Sequence, residues 1–321
     1  MKFANLFTVF GGADLGAIQA GFTHLWGLEK DPEIAAVANK NFKKKVYQGD
    51  VLETDFSRFD RPDWLHASPP CTRASRANNG KESPEDFAIA EAICQAIREL
   101  QPPYFSLENV CQFARYKSYK IIKKTLVKEG YCLNDAELNS YDFGVPQFRK
   151  RLFLVGIKDL GHWCQHPLYD LDWIKPQRLG WYEPIKPLLR YLPETTLTGW
   201  QEQAIAAKYP NKVPNVFCIQ RSGARKRGGI CANTIRLPHK PMFVIRAMNG
   251  QKRTCPKQAT LVVNGKVLEP TPKVLLKWQS FPLAYRLPEW QESLANYRLA
   301  VKGIGNAIPP LLFQKLIEQV I

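Results

Sequence analysis

Ala67-Ser68-Pro69-Pro70-Cys71-Thr72 places one cysteine directly behind two prolines. Proline fixes its own φ, has no N–H for a sheet, and pushes the residue before it into extended geometry. The cysteine therefore follows a short buried strand at 63–67 on a loop with little freedom. Its thiolate is a nucleophile once its surroundings activate it. Glu108-Asn109-Val110 follows the apolar run Tyr104-Phe105-Ser106-Leu107 and sets a carboxyl at another strand end. Gln147-Phe148-Arg149-Lys150-Arg151 opens the run Leu152-Phe153-Leu154-Val155-Gly156. Alternate residues of a strand share a face, so Arg149 and Arg151 are expected to aim at one target. A nucleophile with a carboxyl on the same sheet edge is the start of a covalent catalytic site. Each fragment alone also fits a bland role: a buried thiol, a strand-end carboxylate, a salt-bridged strand start.

A second group suits a nucleotide-like ligand. An apolar strand at 3–10 runs into Gly11-Gly12-Ala13-Asp14-Leu15-Gly16, and a short helix follows, ending at Gly21. Strand, glycine turn and helix let backbone N–H groups approach a cofactor, and the helix N-terminus adds partial positive charge. Neither GxGxxG nor GxxxxGK[ST] is present, so a dinucleotide fingerprint and a P-loop are not indicated. Glu29 ends a second strand at 23–28, where an acid can accept from ribose hydroxyls. Asp50 follows the short strand Val46-Tyr47-Gln48 and can accept from an adenine amino group. An ordinary βα turn with two solvated acids fits the same residues.

The elements that position these groups read clearly in the first half. Asp31-Pro32-Glu33 starts a helix, with Asp at the N-cap and Pro at N1. Ser83-Pro84-Glu85-Asp86 starts a longer one, whose Phe87, Ala90, Ile93, Cys94, Ile97 and Leu100 repeat at helical spacing. A basic amphipathic helix is expected over 119–129. Strands and helices alternate over 1–158, the signature of a doubly wound α/β domain. Beyond about Gly161 the rhythm fails and helical periodicity fades. Arg221-Ser222-Gly223-Ala224-Arg225-Lys226-Arg227 is a basic loop suited to phosphates or base edges. A helix is expected at 274–278 and an apolar one at the C-terminus.

The 321 residues carry a net charge of +16, from 45 basic and 29 acidic side chains. That balance points to a polyanionic partner, nucleic acid before an acidic membrane surface. At 45% hydrophobic the chain can bury a sizeable core and is not compositionally disordered. No apolar run reaches membrane-spanning length, and the N-terminus lacks a signal-peptide layout. The eight cysteines are scattered without a CxxC pair, so a cytoplasmic protein with reduced thiols is expected. His162, Cys164 and His166 alternate, but an extended segment does not wrap three ligands round one ion, and no metal is expected.

Together these motifs resemble the DNA (cytosine-5) methyltransferase family. The resemblance rests on five blocks in order. They are Leu6-Phe7 with Gly11-Gly12-Ala13-Asp14-Leu15-Gly16, Pro69-Pro70-Cys71, Glu108-Asn109-Val110, Gln147-Phe148-Arg149-Lys150-Arg151 and Gly305-Asn306-Ala307-Ile308-Pro309-Pro310. It covers nearly the whole chain except about 165–245, where the family carries its variable target-recognition region. It implies an α/β, doubly wound, Rossmann-like S-adenosylmethionine-dependent domain at 1–164. A smaller, loop-rich target-recognition domain would follow at 165–285, and 286–321 would return to the first. S-adenosylmethionine is the implied cofactor, held by Phe7, Phe10, Gly11, Gly12, Glu29, Lys30, Asp50, Val51, Pro70 and Asn306. Glu29 would take the ribose and Asp50 the adenine amino group.

The resemblance also assigns the chemistry. Cys71 would attack cytosine C6 while Glu108 donates to or hydrogen-bonds N3, a step helped by burial that keeps Glu108 protonated. Arg151 would hold cytosine O2 or a neighbouring phosphate, and Arg149 would support the Cys71 loop. Arg73, Ser75 and Arg76, with Arg221, Arg225, Lys226 and Arg227, would contact DNA. The implied partner is double-stranded DNA with the target base flipped out. A monomer is implied, acting alone or beside a separate restriction endonuclease. The family's tRNA-methylating branch and a catalytically impaired DNA-binding homologue share the motifs; the basic 165–245 segment favours DNA. Three residues depart from the family pattern. Val9 stands for its first glycine, which bears on cofactor affinity, and Thr72 for its usual glutamine. Val274 stands for a structural glutamate, which bears on how the recognition region is braced. The recognition sequence is not legible.

Overall fold

In a computed structural model the described residues are 1–43, 45–70, 82–158, 176–220, 234–247 and 258–321. The chain divides into two units. Met1–Phe143, Lys150–Lys175 and Ala307–Ile321 form the first; Gly144–Arg149 and Pro176–Asn306 form the second.

The first unit alternates strands and helices. They are β1 (Lys2–Leu6), α1 (Gly12–Gln19), β2 (Thr23–Glu29), α2 (Pro32–Asn39), β3 (Val46–Gln48) and β4 (Trp64–Ala67). α3 (Pro84–Leu100), β5 (Tyr104–Asn109), α4 (Lys117–Lys128), β6 (Tyr131–Asn139) and β7 (Lys150–Lys158) follow. The seven strands lie in the order β3-β2-β1-β4-β5-β7-β6. The pairs on the β3 to β5 side are parallel, and β7 runs antiparallel to both β5 and β6. The α/β expectation therefore holds, with one reversed strand making the sheet mixed. Strand order turns back between β1 and β4, and open α/β sheets bind ligands beyond the strand ends at such a switch point.

Local sequence explains these elements. Asp31 accepts from the Glu33 and Ile34 N–H groups and Pro32 follows it, which starts α2. A Ser83–Asp86 capping box with Pro84 starts α3. Ala90, Ile93, Cys94, Ile97 and Leu100 of α3 are buried in the main core, as their spacing required. Fully burying an isoleucine side chain contributes about 1.5–3 kcal/mol, so Ile93 and Ile97 anchor this helix. β6 has no counterpart among the expected elements. It is a sheet edge paired only with β7, and its Asn134, Asp135 and Glu137 interrupt the apolar pattern of a strand.

The second unit contains α5 (Gly199–Lys208), β8 (Val216–Gln220), β9 (Ile235–Arg236), β10 (Ala259–Val263), β11 (Lys266–Leu268), α6 (Pro272–Trp278) and α7 (Leu294–Asn306). Its strands form an antiparallel sheet in the order β11-β10-β8-β9. A loop-rich reading therefore understates it. The strands have two to five residues, too few for alternation to stand out. α8 (Pro310–Val320) closes the chain in the first unit, against α1. The chain thus returns to the first unit at Ala307, whereas the resemblance placed the returning segment from 286.

Cys94, Cys111 and Cys218 are free thiols, but Cys132 on β6 is disulfide-bonded. The expectation of uniformly reduced thiols is corrected here, because spacing along the chain does not reveal which cysteines the fold brings together. Among the described residues no helix is long and apolar enough to cross a membrane.

Candidate active site

The carboxyl edge of the first unit's sheet gathers most of the expected residues. β1 stops at Leu6 rather than continuing to Phe10, because the backbone turns left-handed. Phe7 has φ 65°, Val9 φ 53° and Gly11 φ 67°. The turn is held by Thr8 N–H to the Leu28 carbonyl at 2.9 Å and Gly11 N–H to the Thr8 carbonyl at 2.7 Å. Gly11 is the N-cap of α1, and a Cβ there would overlap the Phe42 ring. A Cβ on Gly12 would overlap the Ile308 carbonyl. Both positions thus require glycine. Val9 has no such freedom, and a left-handed β-branched residue costs about 1–2 kcal/mol.

Glu29 holds that strained turn. Its Oε2 accepts from Val9 N–H and its Oε1 from Asp31 N–H, each at 2.9 Å, and the residue is 9% exposed. Asp50, just past β3, pairs with Lys30 Nζ at 2.6 Å and accepts from Leu52 N–H at 3.1 Å. Burial pushes the Asp50 carboxyl up, but the bonds from Lys30 and Leu52 outweigh it and hold the group below the usual range. Phe7 packs partly buried against the core. Phe10 and Val51, expected beside it, are buried, so their side chains sit in the interior rather than on open surface.

The other side of the switch point carries the proline loop. Ser68 Oγ donates to the Phe7 carbonyl at 3.3 Å, tying the end of β4 to the turn after β1. Asn109 Nδ2 donates to the Pro69 carbonyl at 3.1 Å, and its Oδ1 accepts from Val110 N–H at 2.8 Å. Pro69 is buried and Pro70 exposed. Cys71, Arg73, Ser75 and Arg76 lie outside the described residues. The chain re-enters at Glu82, whose carboxylate caps α4 by accepting from Lys117 N–H at 2.7 Å and Ser118 N–H at 2.8 Å.

Glu108 on β5 is 6% exposed, and its Oε1 lies 3.1 Å from Arg151 Nε. Glu108 faces Phe153 across the β5–β7 register, and Arg151 lies two residues before Phe153 on the same face of the strand. The sheet therefore delivers this pair. Arg149 is a different case. β7 begins at Lys150, so strand alternation does not reach Arg149, and the expectation of a shared target is corrected. Arg149 belongs to the second unit, is buried there, and donates from Nη1 to the Gly305 carbonyl at 3.0 Å. Asn306 ends α7 in that unit and is exposed. Val274 is fully buried in α6. Nearby support comes from neutral amides: Gln147 Nε2 donates to Gln279 Oε1 at 2.5 Å, and both residues are fully buried.

Arg221, Arg225, Lys226, Arg227, His162, Cys164 and His166 lie outside the described residues. Among the described residues no group of His, Cys, Asp and Glu is arranged to hold a metal ion. Asn109 escaped the sequence reading as a holder of the proline loop. Its place beside Glu108 was visible, but a hydrogen bond across 40 residues leaves no local pattern.

The chain matches the family model described as C-5 cytosine-specific DNA methylase over residues 1–321. It is similar to the Type II methyltransferase M.FnuDI of Fusobacterium nucleatum, 26% identical over 272 residues, covering 82% of this chain and 75% of the relative. It is also similar to the Type II methyltransferase M.NgoBI of Neisseria gonorrhoeae, 29% identical over 297 residues, covering 88% and 82%. Among solved structures, the S. pombe Dnmt2 methyltransferase shares the fold at a TM-score of 0.63 and 16% identity, covering 100% of this chain and 98% of that one.

Proposed function

The chain belongs to the C-5 cytosine-specific DNA methylase family, and from that premise we propose that it methylates C5 of a flipped-out cytosine in duplex DNA through a covalent bond to Cys71. The observation that carries this reading is the buried Glu108–Arg151 pair at the strand end whose next residue, Asn109, holds Pro69 two residues before Cys71. The Type II relatives support a short, specific DNA sequence as the target.

S-adenosylmethionine, when bound, supplies an electrophilic methyl group. The residues present suit it: a turn that only glycine can make at Gly11 and Gly12, the α1 N-terminus behind it, and two carboxylates on the same sheet edge. Phe7, Gly11, Gly12, Glu29, Asp50 and Pro70 would hold it.

The protein's own steps begin at Cys71. The thiolate forms a bond to C6, and the electron pair of the C5–C6 double bond moves toward N3, where Glu108 donates a hydrogen bond or a proton. C5 is then nucleophilic and would take the methyl group supplied by the bound cofactor, the methyl–sulfur bond breaking with its electrons returning to sulfur and leaving S-adenosylhomocysteine. Loss of the C5 proton to solvent restores the double bond, and the C6–S bond breaks with its electrons returning to sulfur. Arg151 keeps Glu108 in place and offers its remaining N–H groups to cytosine O2 or a phosphate. Arg73, Ser75, Arg76, Arg221, Arg225, Lys226 and Arg227 would neutralise phosphates around the flipped base.

Labelled S-adenosylmethionine incubated with duplex DNA and, separately, with tRNA tests the reading. Label in the duplex is expected. Label in tRNA alone would overturn it.

A further inference from the structure

Beneath the turn lies a polar cluster that the proposed mechanism does not use. Asp14, in the first turn of α1, is fully buried. Its Oδ2 accepts from Asn5 Nδ2 at 2.5 Å, and its Oδ1 lies 3.0 Å from His24 Nε2. Asn5 is on β1 and His24 on β2, and both are buried. One carboxylate thus ties together three elements. Each element carries a residue of the proposed cofactor site: Phe7 just past β1, Gly11 and Gly12 at the start of α1, and Glu29 at the end of β2. The His24 ring packs against Phe42 with centroids 4.9 Å apart, and Phe42 fills the space above Gly11 that a Cβ would need.

We propose that Asn5, Asp14 and His24 are positioning residues that set the cofactor turn, with Phe42 passing the constraint to Gly11. The inference rests on the cofactor reading above. Burying a carboxylate is expensive unless partners compensate it, and removing one partner leaves the other group uncompensated. Without His24 the α1 N-terminus keeps its sequence but loses the two contacts that fix it, through Asp14 and through Phe42. The loss is therefore expected in ligand affinity, since the groups proposed for chemistry at Glu108 and Arg151 stand on other strands.

The test uses the full chain and S-adenosylhomocysteine, with affinity measured by calorimetry and thermal stability measured without ligand. His24→Phe keeps the packing on Phe42 but removes the partner of Asp14. We expect its dissociation constant to rise about tenfold or more. We expect kcat at saturating cofactor to stay within about twofold. Where a His24 variant does not fold, Phe42→Leu leaves the Asp14–His24 pair intact and should weaken the ligand in the same direction. A folded variant with wild-type affinity, whatever its melting temperature, would make the cluster merely structural and overturn the proposal. Failure of the wild-type protein to bind S-adenosylhomocysteine would instead count against the cofactor reading itself.

Discussion

The two units bury different kinds of polar group. The first buries three carboxylates: Asp14 in α1, facing His24, and Glu29 and Glu108 at strand ends, facing backbone N–H groups and Arg151. The second buries no carboxylate among its described residues; it buries one guanidinium, Arg149, and several neutral amides. Gln147 and Gln279 pair there, and Gln201 Nε2 bonds the Gln220 carbonyl at 3.1 Å and Thr260 Oγ1 at 3.0 Å. Charge taken from water costs much more than an amide does, so each buried carboxylate needs partners that compensate it. Amides hold short strands and loops together at lower cost. The comparison teaches that, among the described residues, buried carboxylates are confined to the first unit, where Glu29 and Glu108 stand at the strand ends of the proposed site, while buried amides serve both units as ties between segments.

Substitutions can break or sharpen that contrast. Glu108→Gln keeps the shape of the side chain and removes its proton-donating acid. Methyl transfer should fall about 10²- to 10⁴-fold with the melting temperature little changed, in steady-state rates beside a calorimetric scan. An unaffected rate would remove Glu108 from the chemistry. Gln201→Leu should do the reverse. It deletes bonds to Gln220, Thr260 and Thr198 N–H, so chemical denaturation should report a loss of about 1–3 kcal/mol with kcat for methyl transfer unchanged.

Val9→Gly sits between the two classes, because it removes backbone strain from the turn proposed to hold the cofactor without touching a charge. Relief of the left-handed conformation, partly offset by glycine's greater freedom when unfolded, should raise stability by up to about 1 kcal/mol. A destabilised variant would mean that the valine side chain contributes more than its backbone costs. The smallest effect is expected for Lys30→Met. Asp50 should then titrate higher, read by NMR of its carboxyl carbon. Its carboxyl is held low in the folded state, so its stabilising contribution is present above the unfolded value and is lost as pH falls through the folded one. Lys30 is 68% exposed, so solvent screens most of that contribution.

The first unit was legible where local chemistry decides the element. Asp31-Pro32 and Ser83-Pro84 start helices where they were expected, and the α3 stripe is buried from Ala90 to Leu100, with Phe87 at its start half-buried. The second unit was harder, although two signals were present. Thr198 and Gln201 form a capping box at the start of α5. Asn264-Gly265, with φ 49° and 83°, turns β10 into β11, and Asn-Gly between apolar runs is a strong hairpin signal. The site divides in the same way. Glu108 and Arg151 meet because they lie on neighbouring strands, which alternation makes readable. Arg149 departs because its strand begins one residue later. The Asn109–Pro69 and Asp14–His24 contacts depend on tertiary packing and leave no spacing in the chain.

The central claim is that Cys71 becomes bonded to a cytosine in DNA. Incubating the protein with S-adenosylmethionine and a duplex carrying 5-fluorocytosine at the target blocks loss of the C5 substituent, so an adduct should accumulate. A species of protein plus DNA that survives denaturing electrophoresis, and that Cys71→Ala abolishes while duplex binding remains, is the expected result. Methylation of unmodified duplex without any trapped adduct, or an adduct that persists in Cys71→Ala, would contradict it.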